Sequence, residues 1–226
     1  MPLISSQGNI WEWRAILRGA DGSRPLYFGA ALVSRTVAAS AGHLCEYLLI
    51  ERFSANANDL QAALEVIAHR PDVDGTRAIA VGVSAGGAAL LALGARNPPN
   101  LKAVFNVSGG LRFAGCPKEE ALVDAVRKLG VTSRVPTLWL YSKNDSYFAP
   151  DLVDRMRDSF LDGGGDARLV MYGAFGTDGH IAVPEWAASM NDGARFIPAV
   201  SQVADLATSR CRGPVRETQL QEPGLR

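Results

Sequence analysis

The sequence lacks a long hydrophobic run, a net charge and a large complement of cysteines. No apolar stretch reaches the roughly 18 residues that a membrane-spanning helix needs, and the first residues lack the order of a secretory signal. Lysine and arginine number 23 and aspartate and glutamate also number 23, so no strongly basic surface is available to bind phosphates. We therefore expect a cytoplasmic protein with no membrane span and no nucleic-acid partner.

Cysteine is scarce, which restricts the redox and metal chemistry open to the chain. Cys45, Cys116 and Cys211 are too few and too scattered for a disulfide framework or a paired metal site. We expect plain thiols, and a bridge between Cys45 and Cys116 is the alternative. No metal ion and no organic cofactor is predicted.

The apolar residues that are present are sufficient for one packed domain. They make up 47% of the 226 residues. From about residue 58 onward, helical patterns alternate with short apolar runs, which is typical of an α/β fold whose mostly parallel sheet has helices on both faces. Four parallel strands are predicted, at 78–83, 103–109, 136–142 and 167–173. Four helices are predicted around them, at 54–70, 85–96, 117–130 and 149–165.

The two ends of the chain carry weaker patterns. We predict an atypical N-terminal segment at 1–57, in which the apolar runs LYFGAALV and EYLLIERF are candidate strands without an assignable order. The core of the fold is predicted at 58–206. The remaining stretch, 207–226, is polar and contains two prolines, so we expect a disordered tail there.

The pattern G-x-S-x-G occurs where the strand 78–83 meets the next helix, with Gly82, Ser84 and Gly86 in the three fixed positions. On such a sharp turn, side chains two positions to either side of the serine would collide unless they are glycine. The amide of Ala85, at the start of the helix, is placed to donate to a developing oxyanion. Ser84 is therefore a candidate nucleophile. The alternative is an ordinary glycine-rich turn, since the chain has 23 glycines.

A serine nucleophile needs a general base, and the chain has three histidines, His43, His69 and His180. In a parallel sheet the functional residues lie beyond the carboxyl ends of the strands. His69 precedes a strand and so belongs to the opposite edge, and His43 is not tied to any strand end. His180 follows the last predicted strand, and we predict it as the general base rather than a surface histidine.

The imidazole also needs a carboxylate to orient it. Asp145 follows the strand 136–142 at the carboxyl edge, and its position gives the chain order serine, aspartate, histidine. Asp151 lies within the next helix, Asp166 precedes a strand, and Asp178 is too close to the histidine in sequence for an easy side-chain contact. Asp145 is the predicted third residue, and an ordinary acid in an Asn-Asp turn is the alternative.

With these three residues, the chain resembles the α/β-hydrolases and, within them, the dienelactone hydrolase family of carboxylic-ester and lactone hydrolases. The resemblance covers about residues 58–200 and is carried by PDVDGTRAIAVGVSAGG, RNPPNLKAVFNVSGGLR, VPTLWLYSKNDSYFAP and FGTDGH. It implies an α/β-hydrolase fold and a serine esterase that cleaves small esters or lactones through an acyl-enzyme, without a cofactor. Some of the aromatic residues Tyr147, Phe148, Phe175 and Trp186 are expected to wall the substrate pocket, and packing in the core is the equal alternative for each of them.

The chain departs from this family at two places. Dienelactone hydrolases carry a cysteine nucleophile, whereas this sequence has Ser84. Such hydrolases also have a strand ending in His-Gly, whose loop supplies a second oxyanion donor, and residues 1–57 contain no such motif. Gly29 in PLYFGAAL is the nearest equivalent, so the segment is either truncated or diverged. A non-catalytic binding module and a peptidase or thioesterase of the same fold are the alternative functions.

Overall fold

The structure is a computed structural model that describes residues 10–19, 25–33, 44–112, 116, 119–174 and 176–180, with backbone alone before residue 44. Helices and strands alternate along most of this length. In chain order they are β1 (Ile10–Gly19), β2 (Pro25–Val33), α1 (Leu44–Ala68), β3 (Val73–Val83), α2 (Ala85–Gly94), β4 (Leu101–Val107), α3 (Glu119–Thr132), β5 (Thr137–Ser142), α4 (Pro150–Asp162) and β6 (Ala167–Tyr172).

A six-stranded sheet organises these elements, in the order β2-β1-β3-β4-β5-β6. Strands β3 to β6 are parallel to one another, and β1 is antiparallel to both β2 and β3. The α/β class and the four predicted parallel strands are therefore confirmed. Because parallel strands end at the same edge, the loops that follow β3, β5 and β6 come together there.

The central strands are apolar because both of their faces are covered. All six residues of β5 are buried, and so is every residue of α2. Residues of α1, α2, α3 and α4 belong to a single core cluster on one face of the sheet. The second cluster consists of strand residues, including Val81, Phe105 and Leu138. The described residues thus bear out the predicted helical layer for one face, and any helix on the other lies outside them.

One of the two candidate strands in the N-terminal segment is confirmed and the other is wrong. The run at 26–33 lies within β2, whereas the run at 46–53 forms the first turns of α1. This helix starts ten residues before the predicted start at residue 54. Leu49, Phe53 and Leu60 share its buried face, at spacings that fit a helix. A short apolar run does not by itself distinguish a strand from a buried helix.

Gly130 was expected to end a helix spanning 117–130, but it lies inside α3, which continues to Thr132. A Cβ atom at Gly130 would lie 2.2 Å from the carbonyl oxygen of Phe160 in α4. The glycine is therefore explained by the close approach of the two helices rather than by a change of chain direction. Glycine inside a helix costs about 1 kcal/mol relative to alanine, which the packing of α3 on α4 offsets.

The expectation of plain thiols is wrong for two of the cysteines. Cys45 and Cys116 form a disulfide, the alternative that the sequence left open, with their Cα atoms 5.4 Å apart. The bond joins the first turn of α1 to the segment that precedes α3. The two residues are 71 positions apart in sequence, and the packing of α1 against α3 brings these two parts of the chain together. Cys211 lies outside the described residues.

The predicted division of the chain into segments at 1–57, 58–206 and 207–226 stays a prediction. The boundary between 57 and 58 falls inside α1, and the expected tail at 207–226 lies outside the described residues. Within the part of the chain that is described, no helix combines the length and the apolar character that crossing a membrane requires.

Candidate active site

Ser84 lies on the sharp turn between β3 and α2. Its φ angle is 52°, a left-handed conformation that costs a residue other than glycine about 1 to 3 kcal/mol. A Cβ atom on Gly82 would lie 2.5 Å from the carbonyl oxygen of Gly86. The turn therefore brings the backbones of these two glycines together, which is the steric requirement inferred from the sequence.

Backbone hydrogen bonds hold this turn in place. The amide of Ser84 donates to the carbonyl of Val107 at 3.0 Å, and its own carbonyl accepts from the amides of Gly87 and Gly110 at 2.9 and 3.1 Å. Ala85 is the first residue of α2, so its amide is among those that have no partner within the helix. Ser84 and Ala85 are both buried, each 4% exposed. The hydroxyl thus stands on a rigid turn beside a free helix amide.

His180 reaches Ser84 from the loop that follows β6. Its Nε2 atom lies 3.2 Å from Ser84 Oγ, although the two residues are 96 positions apart. The Nδ1 atom lies 3.1 Å from both carboxylate oxygens of Asp145. Because an ionised carboxylate can only accept, the network assigns the proton to Nδ1, which leaves Nε2 free to accept from the serine hydroxyl. The imidazole is therefore in the tautomer that a general base needs.

Asp145 is held by three groups at once. In addition to the imidazole, its Oδ1 atom accepts from the amides of Tyr147 and Phe148, each at 2.9 Å. The side chain of Asp145 is fully buried, at 0% exposure, and that of His180 is 7% exposed. Both carboxylate oxygens of Asp145 accept hydrogen bonds. The carboxylate is therefore fixed in orientation, and the cost of removing it from water is compensated.

The other acids and histidines considered in the sequence lie elsewhere. His69 is exposed near the end of α1, where its Nδ1–H donates to the carbonyl of Glu65 at 2.7 Å. The carbonyl of Asp166 accepts from the first amide of β5, which places this residue at the amino edge of the sheet. Asp151 is exposed in the first turn of α4. His43 lies outside the described residues.

Two of the four aromatic residues expected near the site line the imidazole. The ring centroids of Tyr147 and Phe148 lie 4.5 and 5.5 Å from that of His180. Phe148 is buried, whereas Tyr147 is 49% exposed. Tyr147 is thus the side chain that both contacts the imidazole and faces solvent, where a substrate would approach. Phe175 and Trp186 lie outside the described residues.

A buried polar network behind the turn was not anticipated from the sequence. The amide group of Asn106 donates to the Tyr141 hydroxyl at 3.1 Å, and that hydroxyl donates to the carbonyl of Gly109. Burial raises the pKa of Tyr141, so the phenol stays neutral and can donate. The available signal was the asparagine within the otherwise apolar run AVFNVSG. The network joins the ends of β4 and β5, beside the strand β3 that leads to Ser84.

Gly29 does not fill the position of a second oxyanion loop. It lies within β2 and pairs with Arg14 of β1, which in turn pairs with Val81 of β3. Two strand spacings, about 10 Å, therefore separate Gly29 from the strand that leads to Ser84. The equivalence of Gly29 to the glycine of a His-Gly loop is therefore wrong. An aromatic-rich run followed by glycine also occurs in an edge strand, so this pattern does not identify an oxyanion loop.

No metal site is indicated in the described part of the chain, where no three histidine, cysteine or acidic side chains are grouped suitably. At Ser84 the structure instead has a hydroxyl, an imidazole and a carboxylate, each within hydrogen-bonding distance of the next. This arrangement can remove a proton from the hydroxyl and stabilise the imidazolium that results.

Comparison with known proteins gives one family match. The sequence model of the dienelactone hydrolase family matches residues 25–192, which include the serine, the aspartate and the histidine just described. No curated protein sequence gives a significant match.

Solved structures give more distant similarities. One is described as a dienelactone hydrolase from Klebsiella pneumoniae, with 22% identity and a TM-score of 0.44 over 59% of this chain and 58% of that one. A CIB-like hydrolase from Thermoplasma acidophilum has 17% identity and a TM-score of 0.42 over 61% and 56%. A dienelactone hydrolase-like promiscuous phosphotriesterase from metagenomic libraries has 20% identity and a TM-score of 0.46 over 73% and 72%. The chain thus matches less than two thirds of the length of the first two.

Proposed function

The chain belongs to the dienelactone hydrolase family, and on this basis we propose that it is a serine hydrolase of small carboxylic esters or lactones. Ser84 is the proposed nucleophile, His180 the general base and Asp145 the residue that orients the imidazole. The Ala85 amide is the proposed oxyanion donor, and Gly82 and Gly86 permit the turn. The reaction needs no cofactor.

The proposed reaction proceeds through an acyl-enzyme. Ser84 Oγ attacks the substrate carbonyl while its proton passes to Nε2 of His180, and the Ala85 N–H donates to the oxyanion. The tetrahedral intermediate collapses, and the imidazolium returns that proton to the leaving alcohol. Water then attacks the acyl group with the same imidazole as base, which releases the acid and restores the serine.

The contact between Ser84 Oγ and His180 Nε2 is the single observation that carries this proposal. The serine is held in a left-handed conformation and buried, two features that cost free energy and that a plain turn would not need. A strained serine in contact with a carboxylate-bound imidazole is the arrangement that nucleophilic catalysis requires.

A small substrate is favoured by what surrounds the serine. Tyr147 presents a half-exposed aromatic face beside the imidazole, suited to pack against an acyl or alcohol group of modest size. Because the family's dienelactone hydrolases use cysteine, the serine at position 84 favours simple esters alongside lactones. A thioesterase or a peptidase of the same fold is separable by a panel of p-nitrophenyl esters, thioesters and amides.

A non-catalytic binding module is the second candidate, and the missing oxyanion element favours it. Residues 1–57 contain no His-Gly motif, and Gly29 lies in an edge strand. Loss of one oxyanion donor lowers turnover about 100- to 1,000-fold, which is about 3 to 4 kcal/mol. We therefore expect a slow enzyme if the Ala85 amide acts without a second donor.

Labelling with a fluorophosphonate probe tests the proposal. The wild-type protein should be labelled at Ser84, and Ser84→Ala should abolish labelling. Ser108→Ala is the matched control, because Ser108 is also buried, also has a positive φ of 43° and directly follows the neighbouring strand β4. Folded wild-type protein that resists labelling would refute the enzyme and favour the binding module.

The cellular location is also a proposal. The sequence predicts a cytoplasmic protein, but the bond between Cys45 and Cys116 is more typical of oxidising compartments. Alkylation of thiols in intact cells, followed by mass spectrometry of this pair, distinguishes the two.

A further inference from the structure

Two loops at the carboxyl edge of the sheet carry the proposed base and its carboxylate. The first loop, 143–149, follows β5 and contains Asp145. The second loop follows β6 and consists of the described residues 173–174 and 176–180, with His180 as the last of them. Several hydrogen bonds join them, among them a backbone bond in which the amide of Gly179 donates to the carbonyl of Asn144 at 3.1 Å. The relative position of these loops determines whether the imidazole meets both its carboxylate and the serine.

Asp178, in the second loop, binds Ser146 of the first loop, the residue next to Asp145. Its Oδ1 atom accepts from the amide of Ser146 at 3.1 Å, and its Oδ2 atom accepts from the Ser146 hydroxyl at 2.7 Å. The same Oδ1 atom accepts from the amide of His180 at 3.0 Å. One carboxylate oxygen therefore joins the backbone next to Asp145 to the backbone of His180 itself.

The two aspartates link the same two loops, and each binds the loop opposite its own. Asp145, in the first loop, binds the imidazole of the second, whereas Asp178, in the second loop, binds the backbone and hydroxyl of the first. The backbone hydrogen bond from Gly179 to Asn144 already ties the two loops beside these aspartates. The shared Oδ1 of Asp178 adds a link that ends on the amide of His180 itself, so it holds the main chain that carries the imidazole.

We propose that Asp178 is a positioning residue for the hydrolase, which holds His180 in line between Asp145 and Ser84. This inference rests on the proposed function for its effect on catalysis. Its effect on the geometry of the imidazole does not depend on that function. Asp178 itself touches neither the substrate nor the reacting atoms.

The state of the carboxylate supports this role. Hydrogen bonds from the Ser146 side chain first, and then from the His180 backbone, lower the pKa of Asp178 below its ordinary value. The group is ionised at neutral pH, and charge-assisted hydrogen bonds are stronger than neutral ones. Three donors converge on this one half-buried acid, which is more than loop closure alone would require.

Three variants separate positioning from simple stabilisation. Asp178→Ala removes every bond of the carboxylate. Asp178→Asn retains an oxygen that can accept from both amides. Asp74→Ala is the matched control: Asp74 also accepts from the amide and the hydroxyl of a single residue, Thr76, at 3.1 and 2.5 Å, but it lies outside the two loops. It lies in the first part of β3, before the strand runs toward Ser84.

Steady-state kinetics on a p-nitrophenyl ester gives the first readout. Asp178→Ala should lower kcat about 10- to 100-fold with KM within about twofold, since a misplacement near 1 Å has a cost of this order. Asp178→Asn should restore kcat to within about threefold of wild type. Asp74→Ala should leave kcat unchanged even where it lowers the melting temperature. Wild-type kcat in folded Asp178→Ala would overturn the role in catalysis.

Proton NMR of the histidine side chains gives a readout that does not need activity. In wild-type protein the Nδ1–H of His180, bonded to Asp145, should be protected from exchange and resolved downfield. The signal should be lost in Asp178→Ala and retained in Asp178→Asn and Asp74→Ala. If Asp178→Ala does not fold, Ser146→Ala, which removes one of the three bonds, should weaken the signal. A signal that persists unchanged when the bonds are removed overturns the proposal.

The two readouts also distinguish this inference from the proposed function. Absence of probe labelling in wild-type protein would refute the hydrolase while the NMR signal still tests Asp178. Labelling of wild type together with an intact NMR signal in Asp178→Ala would refute the positioning role of Asp178 and leave the proposed hydrolase unaffected.

Discussion

The disulfide between Cys45 and Cys116 should account for a large part of the stability of this domain. We expect Cys45→Ser with Cys116→Ser, or reduction by dithiothreitol, to lower the free energy of unfolding by about 2 to 4 kcal/mol. The physical reason is that the open chain gains conformational freedom in the unfolded state, whereas α1 and α3 still pack together in the folded one.

The magnitude follows from the length of the loop that the bond closes. The cysteines are 71 positions apart. For a loop of about that length, the chain-entropy relation gives a loss of about 15 cal/mol/K in the unfolded state, or about 4.4 kcal/mol at 25 °C. This is an upper figure, since residual structure in the unfolded chain reduces it. At a slope of about 2 to 3 kcal/mol/M, the urea midpoint should fall by about 1 to 2 M.

Urea unfolding followed by circular dichroism measures this difference, with and without reductant. Cys211→Ser is the matched control, because it removes a thiol without touching the bond, and its midpoint should stay within error of wild type. A thiol count is the second measurement. Of the three cysteines, one should react in urea without reductant and all three after reduction. Equal urea midpoints for oxidised and reduced protein, with the bond present by thiol count, would refute the entropic reasoning.

Two further substitutions test the site. Asp145→Asn should lower kcat about 10,000-fold with KM little changed, because an amide donor facing Nδ1 favours the wrong tautomer of the imidazole; steady-state kinetics checks this, and a loss under tenfold contradicts it. Gly82→Ala should destabilise the fold by about 1 to 3 kcal/mol and reduce probe labelling, because its Cβ would lie 2.5 Å from the Gly86 carbonyl oxygen. Gly173→Ala, where a Cβ meets nothing within 4 Å, is its control in thermal unfolding, and equal melting temperatures for the two variants would count against the steric argument.

The sequence predicted those parts of the molecule for which the apolar pattern of a segment and the rules of sheet topology lead to the same expectation. The strands β3, β4 and β5 contain nearly continuous apolar runs, whose side chains fall into two buried clusters on opposite faces of the sheet. Once such strands are parallel, their carboxyl ends share an edge whatever their order. The G-x-S-x-G pattern identified Ser84, and the shared edge together with the chain order selected Asp145 and His180; the three side chains do lie within hydrogen-bonding distance.

Features that depend on pairing over long distances could not be obtained in this way. The antiparallel placement of β1 beside β3 depends on which strand edge is free, and neither β1 nor β2 carries a clear period. The disulfide depends on the docking of α1 against α3, which leaves no mark in the spacing of the cysteines. Gly130 has the same origin, since helix crossing and helix termination both select glycine.

Asp178 illustrates a further limit, which concerns backbone partners. The short separation from His180 correctly argued against a contact between the two side chains, and the imidazole instead meets Asp145. The same separation is what allows the carboxylate of Asp178 to reach the amide of His180. A search for triad partners considers side chains alone, so an acid that binds the main chain of the base is discarded for the very property that makes it useful. Residues that fix a catalytic loop should therefore be sought among the acids that such a search rejects as too close.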